Sequence, residues 1–161
     1  NLVHSQKDES ELFMITDLLR NDLNRIEKAE VCVVSLKERL EVPGLIHSYS
    51  HLKVNLTDNT SLLKLLKAIF PGGSITGAPK KRVMEIIDEI EVFERGFYCG
   101  STILKNRDSF RASINIRSGE LDKATAEVLY WSGGGVTIQS ESTSEYQEIM
   151  DKTQSFVRFL S

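Results

Sequence analysis

The chain has 161 residues, a net charge of −3 and 27% charged side chains. That is about one domain's worth, long enough to bury a core. The acidic balance leaves no basic footprint for nucleic acid, and no apolar run approaches the roughly 20 residues that span a bilayer. Two cysteines, Cys32 and Cys99, have no metal spacing. With no signal-peptide pattern at the start, they point to a reduced, cytoplasmic protein. The start at Asn1 without a methionine suggests a fragment or a processed chain.

Asp8 to Ile26 reads as a helix. Leu12, Ile15, Leu19, Leu23 and Ile26 form an apolar stripe, widened by Leu18. Asp8, Glu9 and Glu11 load its first turn with acid, which by itself complements the helix dipole. Val31 to Val42 mixes β-branched and charged residues and reads as one or two strands ending at a Pro43-Gly44 turn. Ile46 to Leu56 alternates as another strand and carries His47 and His51, which are ordinarily solvated side chains in such a setting. Asp58-Asn59 is a turn, and Ser61 to Phe70 is a short helix.

From Phe70 to Glu91 a glycine-rich loop feeds an amphipathic helix. Val83, Ile86, Ile87 and Ile90 recur at helical spacing, opposite Glu85, Asp88, Glu89 and Glu91. Gly72, Gly73 and Gly77 permit turns and close approach of a ligand, and Pro79 fits a helix's first turn. N–H groups at such an entry attract an anion, although a tight turn feeding a packed helix explains the residues equally well. The glycine spacing resembles a P-loop, but Ala78-Pro79 stands where Lys-Ser/Thr is needed, so a carboxylate fits better than a nucleotide phosphate.

Phe97 to Lys105 reads as a strand turned by Asn106-Arg107-Asp108. Phe110 to Arg117 alternates strictly and reads as a half-buried antiparallel strand, with Phe110, Ala112, Ile114 and Ile116 on one face and Arg111, Ser113, Asn115 and Arg117 on the other. Ala126 to Ser132 and Val136 to Gln139 are further strand pieces around three glycines, and Ser142 to Phe159 is the closing helix. Ser142-Thr143-Ser144-Glu145 has the form of a capping box, a purely structural use for Glu145. The fold class is α+β, antiparallel sheet layers backed by helices.

On the two terminal helices, Asp8 and Glu11 share a face, as do Glu145 and Glu148, with Lys152 four residues beyond. If the two helices meet, up to four carboxylates converge, and such a cluster shifts its pKa values, recruits lysine or holds a cation. Oxygen-only ligands suit Mg²⁺. A dianionic substrate could place one carboxylate on the metal and a second against Arg117.

Gly73-Ser74-Ile75-Thr76-Gly77-Ala78-Pro79-Lys80, Met84-Glu85-Ile86-Ile87-Asp88-Glu89 and Arg95-Gly96-Phe97-Tyr98-Cys99-Gly100 together resemble the chorismate-utilising enzymes. So do Asp17-Leu18-Leu19-Arg20-Asn21-Asp22-Leu23 and Gly133-Gly134-Gly135 followed by Ser144-Glu145-Tyr146-Gln147-Glu148. The blocks keep the family's order from about residue 8 to the end. The resemblance is to the C-terminal part of the chorismate-binding domain, closest in the aminodeoxychorismate (para-aminobenzoate) synthase branch, and it makes residues 1–161 one partial domain.

That resemblance implies Glu11 and Glu145 as Mg²⁺ ligands, with Asp8 and Glu148 as neighbouring acids and Lys152 beside them. It places His51 near the ring's C4 hydroxyl. Tyr98 and Arg117 would grip the enolpyruvyl carboxylate, and Gly133, Gly134 and Ser74 to Gly77, Thr76 among them, would line the substrate. It implies amination of chorismate to 4-amino-4-deoxychorismate on the route to folate, with ammonia from a glutamine amidotransferase. Anthranilate synthase component I is the nearest alternative; Ser74-Ile75-Thr76 and Cys99 favour the aminodeoxychorismate branch. The family's Pro-Ile-Lys-Gly-Thr nucleophile motif and general-acid glutamate lie upstream of the matched part. The chain alone is therefore expected not to turn over and to expose surface prone to self-association; a non-catalytic binding or assembly fragment is the further alternative. Cys99 is expected to pack rather than react.

Overall fold

Helix α1, Gln6–Asn24, carries the apolar residues around which the first half of the chain gathers. The computed structural model describes residues 6–42, 45–57 and 59–160, without the side chains of residues 6–8, 42, 45, 46, 155, 159 and 160. The expected Pro43-Gly44 turn, Asp58 and the Asp8 carboxylate thus lie outside the described residues. Two compact units divide between Ile90 and Glu91. The architecture is α+β: antiparallel hairpins backed by helices.

In the first unit α1 packs against one long hairpin, β1 (Glu30–Val42) with β2 (Leu45–Asn55), paired from Glu30↔Asn55 to Val42↔Leu45. The stretch expected to be one or two strands is a single strand. Its register slips between Val33 and Glu38, where Lys37 takes φ 57°, the geometry of an extra residue in one strand. Leu12, Ile15 and Leu18 are half-buried, while Leu23 and Ile26 are buried. Leu19 is exposed instead, and Thr16 is buried in its place, with its hydroxyl donating to the Leu12 carbonyl at 2.7 Å. Hence the helix turns Thr16, not Leu19, inward, because threonine satisfies its own polar atom. The chain leaves α1 through tight turns, Ile26 N to Leu23 O and Ala29 N to Ile26 O, both 3.1 Å.

Helix α2, Leu62–Ile69, begins where Ser61 accepts a hydrogen bond from the Lys64 amide at 3.2 Å, a side-chain cap on an otherwise unpaired donor. The glycine-rich stretch is not only loop. Gly73–Thr76 forms one helical turn, α3, closed by Gly77 N to Gly73 O at 2.8 Å. Gly77 then takes φ 96° and turns the chain into α4, Lys80–Ile90. Pro79 precedes α4 and its carbonyl accepts from the Val83 amide.

In the second unit, β3 (Ser101–Lys105) pairs with β4 (Phe110–Ile114), and β5 (Ser118–Asp122) with β6 (Glu127–Trp131). Helix α5, Ser142–Leu160, meets β5 and β6 through Phe156, which stacks on Tyr130 at 4.0 Å and lies beside Gly119. Three expectations change here. The strand expected from Phe97 starts only at Ser101, because Phe97–Cys99 lies in a turn closed by Tyr98 N to Arg95 O. The strand expected to reach Arg117 stops at Ile114; a new strand, β5, begins after Arg117 turns the chain at φ 51°. Val136–Gln139 is no strand: Thr137 and Ser140 bond each other's backbone and close a turn.

The largest departure concerns burial. Among the described residues, Leu23 and Ile26 alone are buried hydrophobic side chains, and β4 is exposed along its length. Every sheet has two strands, too narrow to enclose an interior between its faces. The alternation over 110–114 therefore marks a strand that no described residue of the second unit covers.

Candidate functional site

The second unit gathers most of the residues that the sequence singled out. Tyr98 sits in the turn before β3, with the Arg95 guanidinium 5.9 Å from its ring centre and the Trp131 ring stacked at 6.1 Å. Arg95 is itself fixed by a two-pronged pair to Glu91, at 2.8 and 2.6 Å. The guanidinium holds the Glu91 carboxyl below its usual range. The Tyr98 hydroxyl points at Gly133 so closely that a Cβ there would lie 2.5 Å from it. Burial, reinforced by Cys99, pushes the Tyr98 hydroxyl's pKa up, so it stays a hydrogen-bond donor at neutral pH.

Behind Gly133 stands α5. The Lys152 ammonium reaches the Gly133 carbonyl at 3.5 Å and pairs with Glu148 at 2.5 Å. Glu145, one turn earlier, is buried to 9% exposure and accepts from the Ser140 hydroxyl at 2.5 Å. Its other oxygen faces Gly134, where a Cβ would come within 3.4 Å. Tyr98, Gly133, Gly134, Glu145, Glu148 and Lys152 thus form one connected group, built because two glycines let a turn, a strand end and a helix approach closely.

Arg117 does not join them. It is exposed and in a left-handed turn, and among the described residues no hydrogen bond or ion pair ties it to Tyr98. Sequence reasoning missed Asn115. Assigned to the polar face of a strand, it is instead buried, donating to the Phe97 carbonyl at 3.2 Å and accepting from Thr102 at 2.9 Å. The signal was present in Arg117-Ser118-Gly119, a turn-prone run that could have ended the strand before Asn115.

In the first unit, His51 is exposed on β2 opposite Ser35, Glu11 is half-buried on α1, and Ser74 is exposed on α3. Thr76 is half-buried, its hydroxyl donating to the Gly72 carbonyl at 3.1 Å. The two halves of the expected Mg²⁺ set, Asp8 with Glu11 and Glu145 with Glu148, belong to different units. Within either unit, among the described residues, no three His, Cys, Asp or Glu side chains gather as a metal site.

Cys99 takes φ 64°, and burial pushes its thiol up, with Arg95 opposing the shift. A raised pKa means less thiolate, the reactive form. A thiol reagent at neutral pH is expected to modify exposed Cys32 about tenfold faster than Cys99, read by mass spectrometry of the labelled peptides. Equal rates would contradict the packing role.

Comparison with known proteins gives a consistent picture. The chorismate binding enzyme family matches residues 1–158. Aminodeoxychorismate synthase component 1 of Escherichia coli (strain K12) is 40% identical over 99% of this chain and 35% of its own length. Anthranilate synthase component 1 1 of Haloarcula marismortui is 40% identical over 98% of this chain and 32% of its own. The crystal structure of anthranilate synthase component I from Streptococcus pneumoniae TIGR4 has a TM-score of 0.82 at 32% identity, over 96% of this chain and 35% of that one. The chain spans about a third of the length of the relatives it matches. Among the described residues no helix is long and apolar enough to cross a membrane.

Proposed function

The chain belongs to the chorismate binding enzyme family, and from that premise we propose that it is the C-terminal part of an aminodeoxychorismate synthase component I. The enzyme would replace chorismate's C4 hydroxyl with ammonia, delivered by a glutamine amidotransferase subunit, in the cytoplasm and on the route to folate. The observation that carries this reading is the connected group of Tyr98, Gly133, Glu145 and Lys152, a hydroxyl donor, a backbone wall, a carboxylate and an ammonium within one unit.

Each residue has a chemical task in that reading. Tyr98, kept protonated, donates to the enolpyruvyl carboxylate; Arg117, exposed and apart from Tyr98 in this structure, is the cation assigned to the same carboxylate and would have to turn toward it. Gly133 and Gly134 let the ring lie against bare backbone, and Ser74, Thr76 and Gly77 are assigned to the substrate as well. His51 is assigned to the C4 oxygen. Glu145 and Glu148 are assigned as oxygen ligands, and Glu11 and Asp8 carry the same assignment. Their chemistry fits Mg²⁺, and the Ser140 hydroxyl fixes the buried Glu145 carboxylate without neutralising it. Bound Mg²⁺ would offset the substrate's carboxylate charge. Lys152, tied to Glu148 and Gly133, limits repulsion among these acids. Exposed apolar residues such as Val92 and Phe97 would favour self-association.

Calorimetric titration of chorismate is the test. Binding is expected to require Mg²⁺ and to weaken about tenfold or more in Glu145→Ala, a loss of about 1.4 kcal/mol or more. Binding that ignores both Mg²⁺ and Glu145 would overturn the assignment. Anthranilate synthase component I is the second reading, supported by the Haloarcula marismortui relative and the Streptococcus pneumoniae structure. Anthranilate fluorescence on incubation with chorismate, Mg²⁺ and an ammonium salt, with the family's upstream segment supplied, would transfer the chain to it. Ser74-Ile75-Thr76 and Cys99 favour the first.

A further inference from the structure

The lysine of Gly77-Ala78-Pro79-Lys80 invites reading as an anion-binding cation, yet the structure commits it elsewhere. Its ammonium pairs with Asp22 on α1, 58 residues away in sequence. Both side chains are largely withdrawn from water, 19% exposed for Lys80 and 5% for Asp22, and Arg25 approaches the same carboxylate at 3.9 Å. One turn earlier on α1, Leu18 underlies Gly73, where a Cβ would meet its side chain at 3.1 Å. Leu18 and Asp22 are four residues apart and share a helix face, about 6 Å along the axis. The two ends of the segment 73–80 are therefore held by neighbouring positions of one helix. The lower end depends on the absence of a side chain, and the upper end on a buried ion pair.

We propose that Asp22 and Lys80 are a positioning pair. They hold the segment bearing Ser74, Thr76 and Gly77 as a preformed wall against which chorismate binds. The assignment rests on the functional reading above, since it is that reading which makes the segment a substrate wall. The physical reason is pre-organisation. Between its two anchors the segment keeps its shape through three backbone bonds, Ile75 N and Thr76 N to Gly72 O at 3.2 Å and Gly77 N to Gly73 O at 2.8 Å. A single turn of helix has too few such bonds to persist alone. Releasing the upper anchor would let the turn open, and ligand binding would then have to restore it.

A purely structural pair and a positioning pair differ in one variant. Removing Asp22 alone strands Lys80 in a partly dry site, and removing Lys80 alone leaves Asp22 only Arg25 at 3.9 Å, whereas Asp22→Asn with Lys80→Met removes both and leaves no buried charge. In that double variant the midpoint of thermal unfolding is expected to recover most of what each single variant loses. The amides of Ile75, Thr76 and Gly77 are nonetheless expected to exchange with deuterium about tenfold faster than in the parent chain. The Leu65 and Phe70 amides of α2 should keep their rates. Chorismate affinity should fall about tenfold with Mg²⁺ present, whereas Lys80→Arg with Asp22 intact, which keeps the ion pair, should leave both readouts at the parent's level. Parent-like exchange at 75–77 in the double variant would overturn the pairing role. Faster exchange with unchanged chorismate affinity would overturn its link to the substrate. Absence of chorismate binding by the parent chain would instead defeat the functional reading, with the exchange rates still deciding the clamp.

Discussion

Asn115→Leu is expected to destabilise the second unit by about 2 kcal/mol, although leucine keeps asparagine's branching and number of heavy atoms. Asn115 binds the Tyr98 turn to the sheet through four hydrogen bonds. Its amide donates to the Gly100 carbonyl at 3.0 Å, and its carbonyl accepts from the Cys99 amide at 2.8 Å. Its side chain adds Phe97 and Thr102. Leucine keeps the first two and loses the second two. Neither partner is orphaned, since the Phe97 carbonyl still accepts from the Gly100 amide at 3.1 Å and exposed Thr102 can turn its hydroxyl to water, so the two lost bonds cost about 1 kcal/mol each. Asn115→Asp should be at least as damaging. It loses the donor to Phe97 and sets a carboxylate against that carbonyl. Trp131, the chain's one tryptophan, stacks on Tyr98, so urea titration followed by its emission reads the affected region directly. Cys99, next to Tyr98 in the loosened turn, should also label faster. A change within about 0.5 kcal/mol, the ordinary range for a surface substitution, would show that the network carries no stability.

Asn115 also shows where sequence legibility ended. Helices α1, α2, α4 and α5 were legible, because an apolar stripe at helical spacing and a serine cap are local signals. The long hairpin was legible from its β-branched alternation. The single turn α3 was not, because Gly73 and Gly77 suppress helix propensity and the turn is held by Leu18 of another helix. Alternation over 110–117 identified a pleated face but not what lies against it. Ile90 shows the same limit on α4: it belongs to the apolar stripe and is 71% exposed. A stripe states which face is apolar; a partner must be present to bury it. At the candidate site, the glycines and acids were legible as residue types in a pattern. The Asp22–Lys80 pair and the Arg95–Tyr98–Trp131 stack were not, since both join residues far apart in sequence through tertiary packing.

Gly133→Ala is expected to have the larger effect on ligand binding. The added methyl would lie 2.5 Å from the Tyr98 hydroxyl, closer than such atoms can approach. The tyrosine has little freedom to yield, with the Arg95 guanidinium over its ring and Trp131 stacked on it. Overpacking of this kind costs about 1–3 kcal/mol, and relief must come from moving either the ring or the 133–134 backbone. Either movement displaces a group assigned to chorismate, so Mg²⁺-dependent affinity should drop tenfold or more. The companion variant Gly134→Ala meets Glu145 only at 3.4 Å and should be milder. Adding Tyr98→Phe to Gly133→Ala separates the two consequences. With the hydroxyl gone, the nearest remaining atom of the ring lies 3.6 Å away, an ordinary contact, so stability should return. Chorismate affinity should not, because the donor to its carboxylate has been removed with the clash. Urea titration and calorimetry on the same three proteins measure both quantities. Recovery of binding together with stability would mean that Tyr98 shapes the wall without touching the substrate, and the carboxylate contact would then have to come from another residue.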